Sequence, residues 1–271
     1  MTTRVGFVGL GNIGRPMALR LAAAEGIELT VYDVVPEPVA ELVAAGARSA
    51  ASVGALADSS DVVCVMVRDD DQVRTVAADV GDGAVLVVHS TVAPGTPAEL
   101  EAGGSTVLDA PVSGGPMGAA EGTLAVMVGG SDEAFVLARP ALDAMSSYVV
   151  HAGPLGAGTR MKLARNLMHF VAFTAATEAQ RLAEACGLDL VELGRVVRHT
   201  DAITGGPGAI MHRDTTAPIV EGDFWRGVFE HVAALGEKDL GLAVELAEGL
   251  DVDVPLARLS LERLRKGLGL G

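Results

Sequence analysis

A chain of 271 residues is long for one domain and sufficient for two. Its 49% hydrophobic content and mean hydropathy of +0.39 supply a sizeable core and exclude intrinsic disorder; with only 3% aromatic residues, that core must be Val, Leu, Ala and Met. A net charge of −15 excludes nucleic acid and anionic membrane surfaces as expected partners, while leaving room for a small anion in a local pocket. Two cysteines, Cys64 and Cys186, do not make a disulfide framework, so a cytoplasmic protein is expected. No apolar run approaches membrane-spanning length. The run after Arg4 is broken by Gly9, Gly11 and Gly14, and reads as a strand rather than a signal peptide.

In chain order, Val5–Leu10, Leu29–Tyr32, Asp61–Val67, Ala84–His89 and Thr106–Ala110 are short, valine-rich and bounded by Gly, Asp or Ser. They read as buried parallel strands. Between them, Ile13–Ala24, Pro38–Ala45 and Gln72–Ala78 have helical spacing, and the alternation predicts a doubly wound α/β sheet. Leu124–Gly129 and Tyr148–His151 read as further strands around a helix capped at Ser131. The character changes after Gly153-Pro154. From Gly158 to Cys186 the pattern predicts one helix, on the order of 40 Å long at about 1.5 Å per residue. Leu188–Arg198, Val232–Glu248 and Pro255–Lys266 also read as helices, and Thr204–Pro218 as a loop. Two domains are expected, residues 1–155 and 156–271.

Gly9-Leu10-Gly11-Asn12-Ile13-Gly14 closes the first strand and opens the first helix. In this pattern Gly9 permits the tight turn, Gly11 lets the backbone approach a pyrophosphate, and Gly14 lets helix and strand pack closely. The motif alone is weak among 34 glycines. Asp33 strengthens it: it ends the second strand nineteen residues past Gly14, where a carboxylate bonds the ribose hydroxyls of NAD. A helix-capping role for Asp33 is the competing reading. No Lys or Arg follows in Val34-Val35-Pro36 to hold a 2′-phosphate, so NAD is expected over NADP.

Asp109–Pro116 ends a strand in a glycine-rich loop whose successive amides, with the Ser113 hydroxyl, form a candidate cradle for a carboxylate. Farther on, Lys162 and Asn166 lie one turn apart. On pattern alone Lys162 reads first as a solvated lysine and second as an acid–base group. No grouping of the six histidines and two cysteines has metal-ligand spacing.

Together these segments resemble the β-hydroxyacid dehydrogenase family, which includes 3-hydroxyisobutyrate dehydrogenases and tartronate semialdehyde reductases. The resemblance runs along nearly the whole chain: the fingerprint, Ser90-Thr91, Asp109–Gly130, Gly156–Asn166, and the KDLGLA block from Lys238 to Ala243. It implies an N-terminal Rossmann domain and an all-α C-terminal domain joined by a long helix, with the active site in the cleft between them. It assigns Lys162 as catalytic acid–base and Asn166 as its partner. It places Ser113, Gly114 and Gly115 on the substrate carboxylate, and Thr91 and Lys238 near the reactive end of the cofactor, with Thr91 also touching substrate. Gly9, Gly11, Asn12, Ile13, Gly14 and Asp33 would hold the dinucleotide.

The expected activity is hydride transfer between NAD and a small 3-hydroxy acid or its semialdehyde, in a homodimer or homotetramer. Arg165 departs from the family, whose members carry His or Asn there; it is read as solvent-facing, or else as meeting a second anionic group of the substrate. His169, one turn beyond Asn166, reads first as a packed or solvent-facing histidine and second as lining the cleft, and His89 as a strand-end residue rather than a base. Two alternatives stand beside this. An imine reductase-like NADPH enzyme is disfavoured by Lys162 and Asp33, and a catalytically silent nucleotide-binding protein by the retention of Lys162, Asn166 and Ser113.

Overall fold

The computed structural model describes residues 2–270. Six parallel strands come first: β1 (Thr3–Val8), β2 (Ile27–Tyr32), β3 (Arg48–Ser49), β4 (Val62–Val65), β5 (Val85–Val88) and β6 (Thr106–Asp109). Their order across the sheet is 3-2-1-4-5-6. This is a doubly wound arrangement whose direction of winding reverses between β1 and β4. The sheet continues through β7 (Val112–Ser113), β8 (Leu124–Gly129) and β9 (Ser146–Gly153), with β8 antiparallel to β6 and β7 and parallel to β9. Strands β4 and β5 are buried at every position, which explains their unbroken VVCV and VLVV sequences.

Helices cover both faces. Residues α1 (Gly14–Ala22), α2 (Pro36–Ala44), α6 (Gly115–Glu121) and α7 (Asp132–Met145) contribute to one core with Val5, Phe7, Val85 and Val87. On the other face, α3 (Val53–Ala57), α4 (Asp70–Val80) and α5 (Thr96–Ala102) pack with Val63, Val65, Leu86 and Val88. Successive residues of one strand thus serve opposite cores, as the pleat requires. Burial pushes the Cys64 thiol up to about 12, so it behaves as a small apolar side chain.

The chain then forms α8 (Ala157–Ala185), α9 (Leu190–Thr204), α10 (Phe224–Gly249) and α11 (Pro255–Gly267). It divides into two compact units, residues 1–165 and 166–271, with the division inside α8. The second unit is wholly helical apart from connections. Its buried cores are small: Ile219, Phe229, Ala233 and Leu268 in one, Val244, Ala247 and Val254 in the other. Glu178 is buried and accepts hydrogen bonds from the amides of Leu256 and Ala257, which satisfies the start of α11. Helix α9 has no fully buried residue, and Leu167, Phe170, Phe173 and Ile203 are exposed.

Three short helices and two short strands were not legible. Helices α3 and α5 are too short to show a period, and the start of α6 falls in the glycine-rich loop expected after β6. Helix α2 begins at Pro36 and α10 at Phe224, both earlier than their apolar spacing suggests. In Thr204–Pro218 the structure has the last residue of α9 and a single 3-10 turn at Gly206–Gly208, followed by loop.

The start of α8 is held from outside the helix. Asp109, fully buried at the end of β6, accepts the Gly156 amide (2.7 Å) and the Thr159 amide (2.5 Å) on its two carboxylate oxygens. Two glycines make this seat possible. A Cβ on Gly158 would lie 2.2 Å from the Met127 carbonyl oxygen, and one on Gly129 would lie 2.3 Å from the Asp109 carboxylate. Replacing Asp109 leaves two buried amides unpaired, each costing about 1–3 kcal/mol. Asp109→Ala is therefore expected to destabilise the first unit by about 2–5 kcal/mol in urea unfolding, with Asp109→Asn between it and wild type. A loss below about 1 kcal/mol for the alanine variant would show that the cap is not a main support of α8.

Candidate functional site

The loops after the parallel strands emerge at the carboxyl edge of the sheet, and the winding reversal opens a crevice there. A cleft of about 710 Å³ occupies this place. Its walls include Gly9, Gly11, Asn12, Ile13, Gly14 and Asp33, so the whole sequence-read fingerprint is gathered in one cavity. A Cβ on Gly14 would sit 1.9 Å from the Gly9 carbonyl oxygen, which accounts for glycine at the strand–helix crossing. At Gly11 a Cβ would meet nothing within 4 Å. Glycine at that position keeps open space clear beside the backbone.

Helix α1 is distinctive in how it begins. Helices α3, α4, α7, α9 and α10 are capped by Ser52, Asp69, Ser131, Asp189 and Asp223, and α8 by Asp109. Helices α2, α5, α6 and α11 carry proline in their first two positions. Among the described α-helices, α1 alone has neither device. The Arg15 amide donates to the Gly11 carbonyl and Pro16 has no amide hydrogen. It is therefore the backbone of Asn12, Ile13 and Gly14 that lines the cleft with the positive end of the helix dipole and no capping carboxylate or hydroxyl, an arrangement suited to phosphate. Volume, open backbone and uncapped helix all fit a dinucleotide.

Asp33 lies at the wall of this cleft, half-buried, accepting the Leu10 amide (2.5 Å) and the Val35 amide (2.8 Å). It thus ties the fingerprint turn to the end of β2, a role the sequence reading did not include. Each oxygen keeps further acceptor capacity for a ligand hydroxyl. Val53, Met66, Arg68, Gln72, Thr75 and Asp79 also line the cleft and were not singled out beforehand. Met66 and Arg68 lie just past the end of β4, Val53 opens α3, and Gln72, Thr75 and Asp79 run along α4, positions that no local pattern marks.

The other anticipated residues lie outside this cleft. Thr91 is exposed just beyond β5. Ser113 closes β7, and Gly114 (φ +136°) and Gly115 (φ +63°) turn the backbone into α6. Lys162 is on the second turn of α8 and only 8% exposed. Its pKa is held below the ordinary lysine value, first by burial and second by repulsion from the half-buried Arg165 one turn on. Arg165 is therefore not simply a solvent-facing residue. Asn166 follows on the same helix, in the second unit. His169 is packed, its ring 4.3 Å from that of Phe173. Lys238 is exposed on α10 and paired with Asp239 at 3.0 Å. Among the described residues, no three His, Cys, Asp or Glu side chains cluster as metal ligands, and no helix is long and apolar enough to cross a membrane.

A doubly wound sheet with a glycine-rich, uncapped-helix cleft defines a dinucleotide-binding fold, and comparison with known proteins makes it that of a nicotinamide-dependent oxidoreductase. Residues 4–153 match the NAD-binding domain of 6-phosphogluconate dehydrogenase, and residues 156–268 match the NAD-binding region of NADP-dependent 3-hydroxyisobutyrate dehydrogenase. The chain is 52% identical to an uncharacterized oxidoreductase of Mycobacterium tuberculosis, over 99% of this chain and 94% of that one. It is 36% identical to the NAD-dependent L-serine dehydrogenase of Pseudomonas aeruginosa, over 97% and 91%. A crystal structure from Mycobacterium avium, described no more finely than as an oxidoreductase, superimposes with a TM-score of 0.95 at 48% identity over 99% of both chains. The chain belongs to the 3-hydroxyisobutyrate dehydrogenase-like family of β-hydroxyacid dehydrogenases.

Proposed function

We propose that this protein oxidises a small 3-hydroxy acid with NAD⁺, or reduces the matching semialdehyde, with Lys162 as the general acid–base. The observation that carries the proposal is a buried lysine with a depressed pKa on a helix start clamped to the sheet. Composition adds weight. The chain uses seventeen arginines and three lysines, so a lysine is the exception wherever positive charge alone would serve. Arginine cannot release its proton at working pH, whereas a buried lysine can.

In oxidation, Lys162 Nζ in its neutral form takes the proton of the substrate hydroxyl as the C–O bond becomes a carbonyl. Bound NAD⁺ supplies the acceptor for the hydride from the same carbon. In reduction, the protonated lysine returns that proton to the developing alkoxide. Asn166 orients the substrate oxygen or the lysine amine, and Ser113, Gly114 and Gly115 hold the carboxylate. Gly9–Gly14 receive the pyrophosphate at α1, Asp33 the ribose, and Thr91 and Lys238 the reactive end of the cofactor. The relatives named for L-serine and 3-hydroxyisobutyrate share a hydroxyl on the carbon β to a carboxylate, and this is the substrate class proposed.

Lys162→Ala is expected to lower kcat by about 10²–10⁴-fold while leaving NADH affinity nearly unchanged. Lys162→Arg should restore little. In wild type, kcat/KM for oxidation should rise with pH along a limb centred below 10.5, because the reactive lysine is the unprotonated one and its pKa is lowered. Activity of the alanine variant within tenfold of wild type removes Lys162 from the chemistry.

NAD is proposed over NADP because the Asp33 carboxylate at the cleft wall opposes a 2′-phosphate. Steady-state kinetics should give a higher kcat/KM with NAD, and Asp33→Ser with Val34→Arg should erode the difference. Equal or better kcat/KM with NADP contradicts this.

A homodimer or homotetramer is the proposed assembly, supported by the small cores of the second unit and the exposed Leu167, Phe170 and Phe173 on α8. Light scattering should return at least twice the 27.6 kDa chain mass at micromolar concentration; a monomer throughout contradicts it.

A further inference from the structure

His89 follows β5 and is 1% exposed. Its Nδ1 lies 2.8 Å from the carbonyl oxygen of Ala110. A carbonyl only accepts, so this nitrogen carries the proton and donates. Burial keeps the ring neutral, with its pKa pushed down to about 4, so the donor persists across the physiological range. The ring stacks beside Phe7 of β1 with centroids 6.4 Å apart. The next residue, Ser90, donates to the Val67 carbonyl (2.7 Å) and accepts the Val67 amide (2.9 Å). His89-Ser90 therefore ties the end of β5 to the chain on both sides. One tie reaches the loop after β4 that lines the dinucleotide cleft, and the other reaches the crossover after β6.

That crossover begins with Asp109-Ala110. His89 grips the Ala110 carbonyl, and the Asp109 carboxylate grips the start of α8. Burying an imidazole costs free energy that an apolar side chain of the same volume would not. A leucine or methionine at position 89 would fill the space without a buried lone pair, but could not donate to Ala110.

We propose that His89 is a positioning residue: its bond to Ala110 fixes the Asp109-Ala110 turn, and through it the Lys162 helix and the Ser113–Gly115 loop, against the nucleotide cleft. The effect on turnover rests on the proposed role of Lys162. Phe7, His89, Ala110, Asp109 and Thr159 form an unbroken line of contacts from the fingerprint strand to the helix turn preceding Lys162.

The test compares wild type with His89→Leu and His89→Met, which fill the volume without a donor, and His89→Asn, whose amide nitrogen falls near the place of Nδ1. Kinetics with a 3-hydroxy acid, NADH affinity by fluorescence, and amide exchange of peptides 110–116 and 156–162 are measured on each. The donor-less variants should lose on the order of 10–100-fold in kcat, as expected for a small misplacement of reacting groups. NADH affinity should stay within about threefold and both peptides should exchange faster, while His89→Asn recovers most of the loss. A folded donor-less variant with kcat within threefold of wild type and unchanged exchange overturns the proposal, as does His89→Asn behaving like His89→Leu. Should wild type turn over no hydroxy acid, the Lys162 reading fails separately, and exchange of the two peptides alone decides the role of His89.

Discussion

A buried carboxylate at the end of one strand meeting the free amides of a helix start is the contact on which the rest depends. A helix leaves its first four amides without internal partners, and α8 is 29 residues long, so its beginning must be anchored before its length can be useful. Asp109 supplies that anchor from the sheet, at the same edge where the parallel strands open the dinucleotide cleft. Asp109 also begins the segment that carries Ser113, Gly114 and Gly115. Position along the sheet, the start of the Lys162 helix and the glycine-rich loop are therefore set by one residue and its immediate neighbour.

Helix termini divide the labour of the first unit. Serine and aspartate close the helices whose ends only need to be stable, and proline opens others where a missing donor costs nothing. Helix α1 is left open, and the open end is the one in the cleft. A capping side chain at Ile13 would find no amide hydrogen at Pro16 and the Arg15 amide already donating to the Gly11 carbonyl, so the sequence of this turn itself leaves the end without a side-chain cap. Lys162 shows a comparable compromise. Burial and Arg165 both disfavour its charged form, which is unfavourable for an ordinary surface lysine and useful for one that must exchange a proton.

Much of the first unit was legible because valine-rich strands and glycine punctuation state their structure locally. VVCV and VLVV admit few readings other than buried strands, and Gly9–Gly14 with Asp33 is a pattern of spacing. Long-range functions were not legible. Asp109 looks like any strand-ending aspartate until its partners 47 and 50 residues later are known, and His89 like any strand-end histidine until Ala110 is found beside it. Short helices such as α3 and α6 escape because five to seven residues give no usable period. Lys162 was ambiguous for the same reason: its burial is a tertiary fact, while its own neighbours Met161, Leu163 and Ala164 are exposed.

The most direct measurement is the fate of deuterium placed on the hydroxyl-bearing carbon of a small 3-hydroxy acid, beginning with L-serine and 3-hydroxyisobutyrate, in the presence of the protein and NAD⁺. The account predicts that reduced cofactor accumulates, that it carries the label, and that its rate shows a primary isotope effect when chemistry limits turnover. A protein that binds NAD⁺ and transfers no label from any 3-hydroxy acid offered would contradict it.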